Sequence, residues 1–70
     1  MDTTHYEFRI KGRVGDRVLS SFDGFDAEIE PAETVLRGKV VDQAALHGVL
    51  EHIQDLGLEL VEVRRVPKSA

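Results

Sequence analysis

This chain predicts a small α+β domain, and three observations carry that expectation. Its 70 residues are enough for one domain and place it near the lower limit for a self-sufficient core. Four short stretches read as strands, the clearest of them alternating apolar and polar residues with a period of two. One longer stretch carries apolar residues at helical spacing, between an aspartate that can cap it and a glycine that can stop it.

The elements follow in order. In His5-Tyr6-Glu7-Phe8-Arg9-Ile10-Lys11, Tyr6, Phe8 and Ile10 point one way and the polar residues the other, so a half-buried strand is expected. Gly12 and Gly15 then punctuate a loop. Residues 16–23 admit two readings. Asp16 can cap a short helix that presents Val18, Leu19 and Phe22 and stops at Gly24. Alternatively, Asp23-Gly24 is the turn of a hairpin over residues 17–30. The helix is favoured, because the hairpin strands Leu19 on its polar face. Phe25, Ala27 and Ile29 face inward in the next strand, with Asp26, Glu28 and Glu30 outward. Pro31-Ala32 makes a turn. Residues 34–41 form a third strand with Leu36 and Val40 inward and Arg37 and Lys39 outward. Asp42 caps the main helix over 44–56, Gly57 ends it, and residues 58–66 form the last strand, closed by Pro67. Residues 1–4 and 67–70 are expected as loose ends.

The resulting order, β-α-β-β-α-β with a short first helix, is that of a ferredoxin-like split β-α-β domain: one four-stranded sheet with both helices on one face. Strands one and three are expected to lie parallel at its centre. The hairpin reading would give β-β-β-β-α-β instead.

Composition narrows the function. The net charge of −4 disfavours nucleic acid, whose binding rests on neutralising phosphates. No apolar run is long enough to span a bilayer and no signal peptide is apparent, so membrane partners are not expected and the cytoplasm is the default location. With no cysteine there is no disulfide to staple so small a core. Oligomerisation is the remaining inexpensive way to bury more surface, and a homo-oligomer, a dimer first, is expected.

The main helix raises the sharpest chemical question, since it holds two of the three histidines. His47 and His52 are five residues apart, about 140° around a helix, so they cannot share a metal. Each has a carboxylate within reach, Glu51 for His47 and Asp55 for His52, which makes ordinary surface pairs. No metal site, cofactor or catalytic residue is predicted, and the chain does not read as an enzyme. The helix side opposite the apolar stripe is more unusual. Ala44, Gly48, Glu51 and Asp55 gather there, and a mid-helix glycine costs about 1 kcal/mol relative to alanine. Close approach of another backbone would explain it. Ala44, His47, Gly48, Glu51, His52 and Asp55 are therefore the candidate interface, and the open sheet face, which could pair with its twin from another subunit, is the alternative. Gly38 poses the same question within a strand, where it marks a bulge or leaves room for Tyr6 or Phe8.

The residue pattern marks two further surfaces. The sheet face away from the helices gathers Glu7, Arg9, Lys11, Asp26, Glu28, Glu30, Arg37 and Lys39, for which cross-strand ion pairing is the expected use. Modules that bind RNA on such a sheet place aromatics there, and this chain turns its aromatics inward. The loop with Gly12, Arg13, Gly15 and Arg17 precedes a helix N-terminus, where an anion is favoured. It looks somewhat like the acylphosphatase loop, but Asp16 follows Gly15 and opposes a phosphate. By analogy of fold with ACT-type regulatory modules, small-molecule or anion binding at this loop is the alternative function.

The run from Thr34 through Leu36, Gly38, Val40 and Asp42-Gln43-Ala44-Ala45-Leu46-His47-Gly48 to Leu50 and Leu56-Gly57-Leu58 resembles a group of short uncharacterised bacterial proteins, mostly actinobacterial. Phe22-Asp23-Gly24-Phe25 fits the same group. The resemblance implies a recognisable unit and carries no activity. The expected function is a self-associating or protein-binding module.

Overall fold

The computed structural model describes residues 4–66. Its elements are β1 (Thr4–Lys11), α1 (Asp16–Leu19), β2 (Phe25–Ile29), β3 (Glu33–Val40), α2 (Gln43–Asp55) and β4 (Leu60–Val66). The α+β class and the β-α-β-β-α-β order agree with the sequence reading. The four strands form one sheet in the order β2-β3-β1-β4, antiparallel at every junction. Each β-α-β unit therefore straddles a strand of the other.

One topological expectation is corrected. β1 and β3 are neighbours but run antiparallel, from Thr4 opposite Val40 to Lys11 opposite Glu33. Each crossover returns its second strand parallel to its first, while the tight β2–β3 turn reverses the chain between them. Interleaving two units of opposite direction makes every adjacent pair antiparallel. Thr4, expected in a loose end, begins β1. The expected ends at 1–3 and 67–70, with the Pro67 stop, lie outside the described residues.

Residues 16–19 are helical, so the hairpin over 17–30 does not form. Asp16 is the first helical residue and not the cap. Gly15 takes the cap position, and its carbonyl accepts from the Val18 and Leu19 amides without any side-chain bond. The helix stops after one turn because the Ser20 and Ser21 hydroxyls fold back onto the carbonyls of Arg17 (2.8 Å) and Val18 (2.6 Å), the usual way serine competes with helix continuation. Gly24, expected as the helix stop, instead sits at φ +80° in the turn that enters β2.

α2 follows its sequence signals closely. Asp42 Oδ1 accepts the Ala45 amide at 2.8 Å. At the other end Gly57, at φ +73°, donates to Gln54 and Leu58 donates to Ile53, a Schellman closure. β4 starts two residues later than expected and contains a bulge: Arg9 pairs with Glu62 and Ile10 with Leu60, leaving Val61 unpaired and half exposed.

The core lies between the sheet and the two helices. Phe8 is its centre, opposite Leu36 of β3 and Val63 of β4. Ile10, Val14, Phe22, Val40 and Ile53 complete the buried cluster, with Leu46, Val49 and Leu50 packed against it. Thr34 is fully buried and ties the first loop to the sheet. Its hydroxyl donates to the Gly12 carbonyl (2.9 Å) and accepts the Val14 amide (3.1 Å). Gly38 makes no bulge; it leaves room for an aromatic, but that aromatic is Phe25 and not Tyr6 or Phe8. A Cβ at Gly38 would lie 2.6 Å from the Phe25 ring. A second correction concerns Ala27 and Ile29. They lie on the helix side of β2, as expected, yet they are exposed, Ile29 at 44%. A one-turn α1 is too short to cover the edge strand. Leu56 is likewise more exposed than its helical phase implies, at 39%.

Candidate functional site

The candidate interface residues on α2 divide into two groups. Ala44, His47, Glu51 and Asp55 are exposed on its outer side. Gly48 and His52 instead line a groove between α2 and the segment joining α1 to β2. The groove has a volume of about 370 Å³, a floor of Phe22, Phe25, Ala45 and Val49, and Ser21 and Asp23 at its rim. α2 supplies its wall through Ala45, Val49 and His52, spaced four and then three residues apart along one flank. Gly48 keeps it open, since a Cβ there would meet nothing within 4 Å.

His52 is the polar centre of the groove. Its ring packs edge-on against Phe22 at 4.6 Å, and its Nε2 lies 2.8 Å from Ser21 Oγ. The distance is that of a nucleophile and its base, but the hydrogen bonding runs the other way. Ser21 has one hydroxyl proton, and the Val18 carbonyl, 2.6 Å away, can only accept it. Nε2–H therefore donates to Ser21 Oγ, and the imidazole does not draw a proton from the hydroxyl. The pair works as a clasp joining α2 to the α1–β2 segment. Sequence reasoning gives Ser21 no role and misses this contact. Ser21 and His52 are 31 positions apart, and no local spacing reports their meeting. The expected ion pairs of His47 with Glu51 and of His52 with Asp55 are not formed among the described residues. No three side chains able to hold a metal converge among those residues either.

A second hollow, about 480 Å³, lies between the C-terminal half of α2 and the start of β4 and is lined by Leu50, Ile53, Gln54, Leu58, Glu59 and Leu60. It is more apolar, but it lacks the converging polar side chains that give the Gly48 groove chemical direction.

The open sheet face is held by ionic bonds. Glu7 is its hub, 3% exposed, with Arg9 and Arg37 each at 3.1 Å and Arg64 at 3.5 Å. Arg9 also reaches Glu33 at 2.8 Å, and Arg37 reaches Glu28 at 2.8 Å. Burial pushes the Glu7 carboxyl upward, but the Arg37 hydrogen bond and the charges of Arg64, Arg9 and Arg37 outweigh it and hold the group below the usual carboxylate value. The hydrogen bond that Arg9 donates to Glu33 raises Arg9, and those that Arg37 donates to Glu28 and Glu7 raise Arg37, each against a smaller opposing effect of burial. Of the charges expected on this face, Glu7, Arg9, Glu28, Glu30 and Arg37 are ion-paired, while Lys11, Asp26 and Lys39 form no ion pair among the described residues. The near-complete burial of Glu7 was not legible, because it depends on the register that brings Arg37 and Arg64 beside it.

In the first loop, Arg13, Gly15 and Arg17 are exposed and Gly12 is half-buried. The Gly12 amide donates to Ala32 and the Val14 amide to Thr34, so two of the amides that could cradle an anion are used within the fold.

No helix among the described residues is long and apolar enough to cross a membrane. Residues 5–64 match the family described as Domain of unknown function (DUF8691), and the chain belongs to that family. Neither the curated proteins nor the solved structures contain a match to it.

Proposed function

We propose that this protein is a non-enzymatic self-associating module that docks a second copy at the groove beside Gly48. The observation that carries the reading is the groove itself. Aromatic and aliphatic side chains floor it, α2 presents no side chain at Gly48 to fill it, and Ala44 continues the small-residue surface one turn earlier. A dimer supplies what the small core lacks. Eight hydrophobic residues are buried among the described residues, while Ile29, Val41, Leu56 and Val61 remain exposed. A core of this size supplies roughly 3–5 kcal/mol without a staple. The ferredoxin-like plan belongs to the same proposal and is supported by the two interleaved β-α-β units. The cytoplasm is the proposed location, on the cysteine-free composition.

Absolute mass by light scattering after size exclusion, at micromolar concentration, tests the reading. The wild type is expected as a dimer. Gly48→Arg, which fills open space, is expected as a folded monomer with an unchanged far-ultraviolet spectrum. A wild type that is monomeric throughout, or a Gly48→Arg variant that keeps the dimer mass, contradicts the proposal.

A further inference from the structure

We infer that the free edge of β2 is a docking site for an extended segment of another protein in which basic residues alternate with apolar ones. The argument starts from the ladder. Glu30 donates its amide to the Glu33 carbonyl at 2.8 Å, which makes this a hydrogen-bonded pair in the β2–β3 register. Such pairs alternate along an antiparallel ladder. Glu28 opposite Val35 and Asp26 opposite Arg37 are therefore bonded pairs as well. Ala27 and Ile29 fall between them and turn their N–H and C=O groups away from β3, toward the sheet's edge. An added strand would bond to these two residues.

Side-chain direction then dictates the composition of that strand. Residues opposite Ala27 and Ile29 fall on the helix side, where both are exposed and α1 is too short to reach them. Apolar side chains belong there. Residues opposite Asp26 and Glu28 fall on the open sheet face. Glu28 is bonded to Arg37, and Asp26 has no ion pair within 4 Å among the described residues. Basic side chains belong there.

The alternatives fit less well. A second copy paired through the same edge and centred on Ala27 would set Asp26 against Glu28 twice, a like-charge arrangement that destabilises. The opposite edge of the sheet, β4, is interrupted by the bulge at Val61 and carries Arg64 and Arg65, features that blunt strand addition. β2 has no bulge.

The test is a titration of the full chain with a short peptide alternating lysine and valine, followed by backbone amide shifts and hydrogen exchange. A peptide of the same composition with its lysines grouped, and one with glutamate in place of lysine, are the controls. The expected result is a shift and slowed exchange at Ala27 and Ile29 with the alternating peptide alone. Asp26→Lys should weaken binding roughly five- to tenfold. Ala27→Pro removes the outward N–H, a change an edge strand can accommodate, and should abolish binding. If that variant does not fold, Asp26→Lys and Ile29→Lys, both at exposed positions, decide the matter. Equal binding of the grouped peptide, shifts confined to the Gly48 groove or to the arginine face, or no shift at millimolar peptide would overturn the inference.

Discussion

The two β-α-β units of this fold share one design and differ in the length of the helix. The second crosses over through α2, thirteen residues long, with a side-chain cap at Asp42 and a Schellman closure at Gly57. The first crosses through α1, four residues long, with no side-chain cap and no buried residue. α2 contributes Ile53 to the buried core and seats Ala45, Leu46, Val49 and Leu50 against it. α1 brings only the half-buried Val18 and Leu19, and the loops around it do the deeper filling with Val14 and Phe22. The uncovered helix-side face of β2, which is an edge strand, and the groove beside Gly48 both follow from that shortage of helix. Where a sheet is left uncovered, and so where a partner can dock, is set here by the length of one crossover.

The largest expected effect separates the two units directly. Ile53→Ala should cost about 2–5 kcal/mol, the range for emptying a fully buried aliphatic site. Leu19→Ala should cost about 1–2 kcal/mol and Ile29→Ala under about 0.5 kcal/mol, because less surface is lost from burial at each. Urea unfolding of the three variants measures the gradient. Equal losses at Ile53 and Ile29 would mean that β2 is covered after all.

A smaller loss probes the one aromatic anchor that β2 possesses. Gly38→Ala should destabilise by about 1–3 kcal/mol, since the added methyl meets the Phe25 ring. Adding Phe25→Leu should recover part of the loss, a coupling that a double-mutant cycle reads out. Additive losses would remove Gly38 from that contact.

The far face of the sheet is independent of either helix, and its response to acid sharpens the contrast. The folded pKa of Glu7 lies below its unfolded value. Its contribution is therefore fully present above the unfolded pKa and is lost as pH falls through the folded pKa. Glu7→Gln should cost about 1–2 kcal/mol at neutral pH, and the difference from wild type should shrink in acid. A difference that persists unchanged at low pH would show that the charge of Glu7 is not what holds the three arginines.

Much of this was legible in residues. The alternation of Tyr6, Phe8 and Ile10 and the Asp42 and Gly57 boundaries located β1 and α2 to within a residue or so, because local hydrogen bonding and period set them. Outward placement of Ala44, Glu51 and Asp55 followed from helical phase alone. What was not legible depends on long-range register. The bulge at Val61, the burial of Glu7 under three arginines and the Ser21–His52 clasp are all meetings between distant segments. The exposure of Ala27 and Ile29 was hidden for a related reason. Alternation tells which face a residue takes, and it does not tell whether anything covers that face. Two of the candidate interface residues, Gly48 and His52, line a groove whose other wall, Ser21 to Phe25, reads in sequence only as a helix end or a turn.

Residue-resolved hydrogen exchange along β2 tests the central claim, an edge strand whose outward backbone groups are open to a partner. Fast exchange at Ala27 and Ile29, alternating with slow exchange at Asp26 and Glu28, is the predicted pattern. Slow exchange at all four positions in the free protein would mean that something already covers the edge, and would contradict the account.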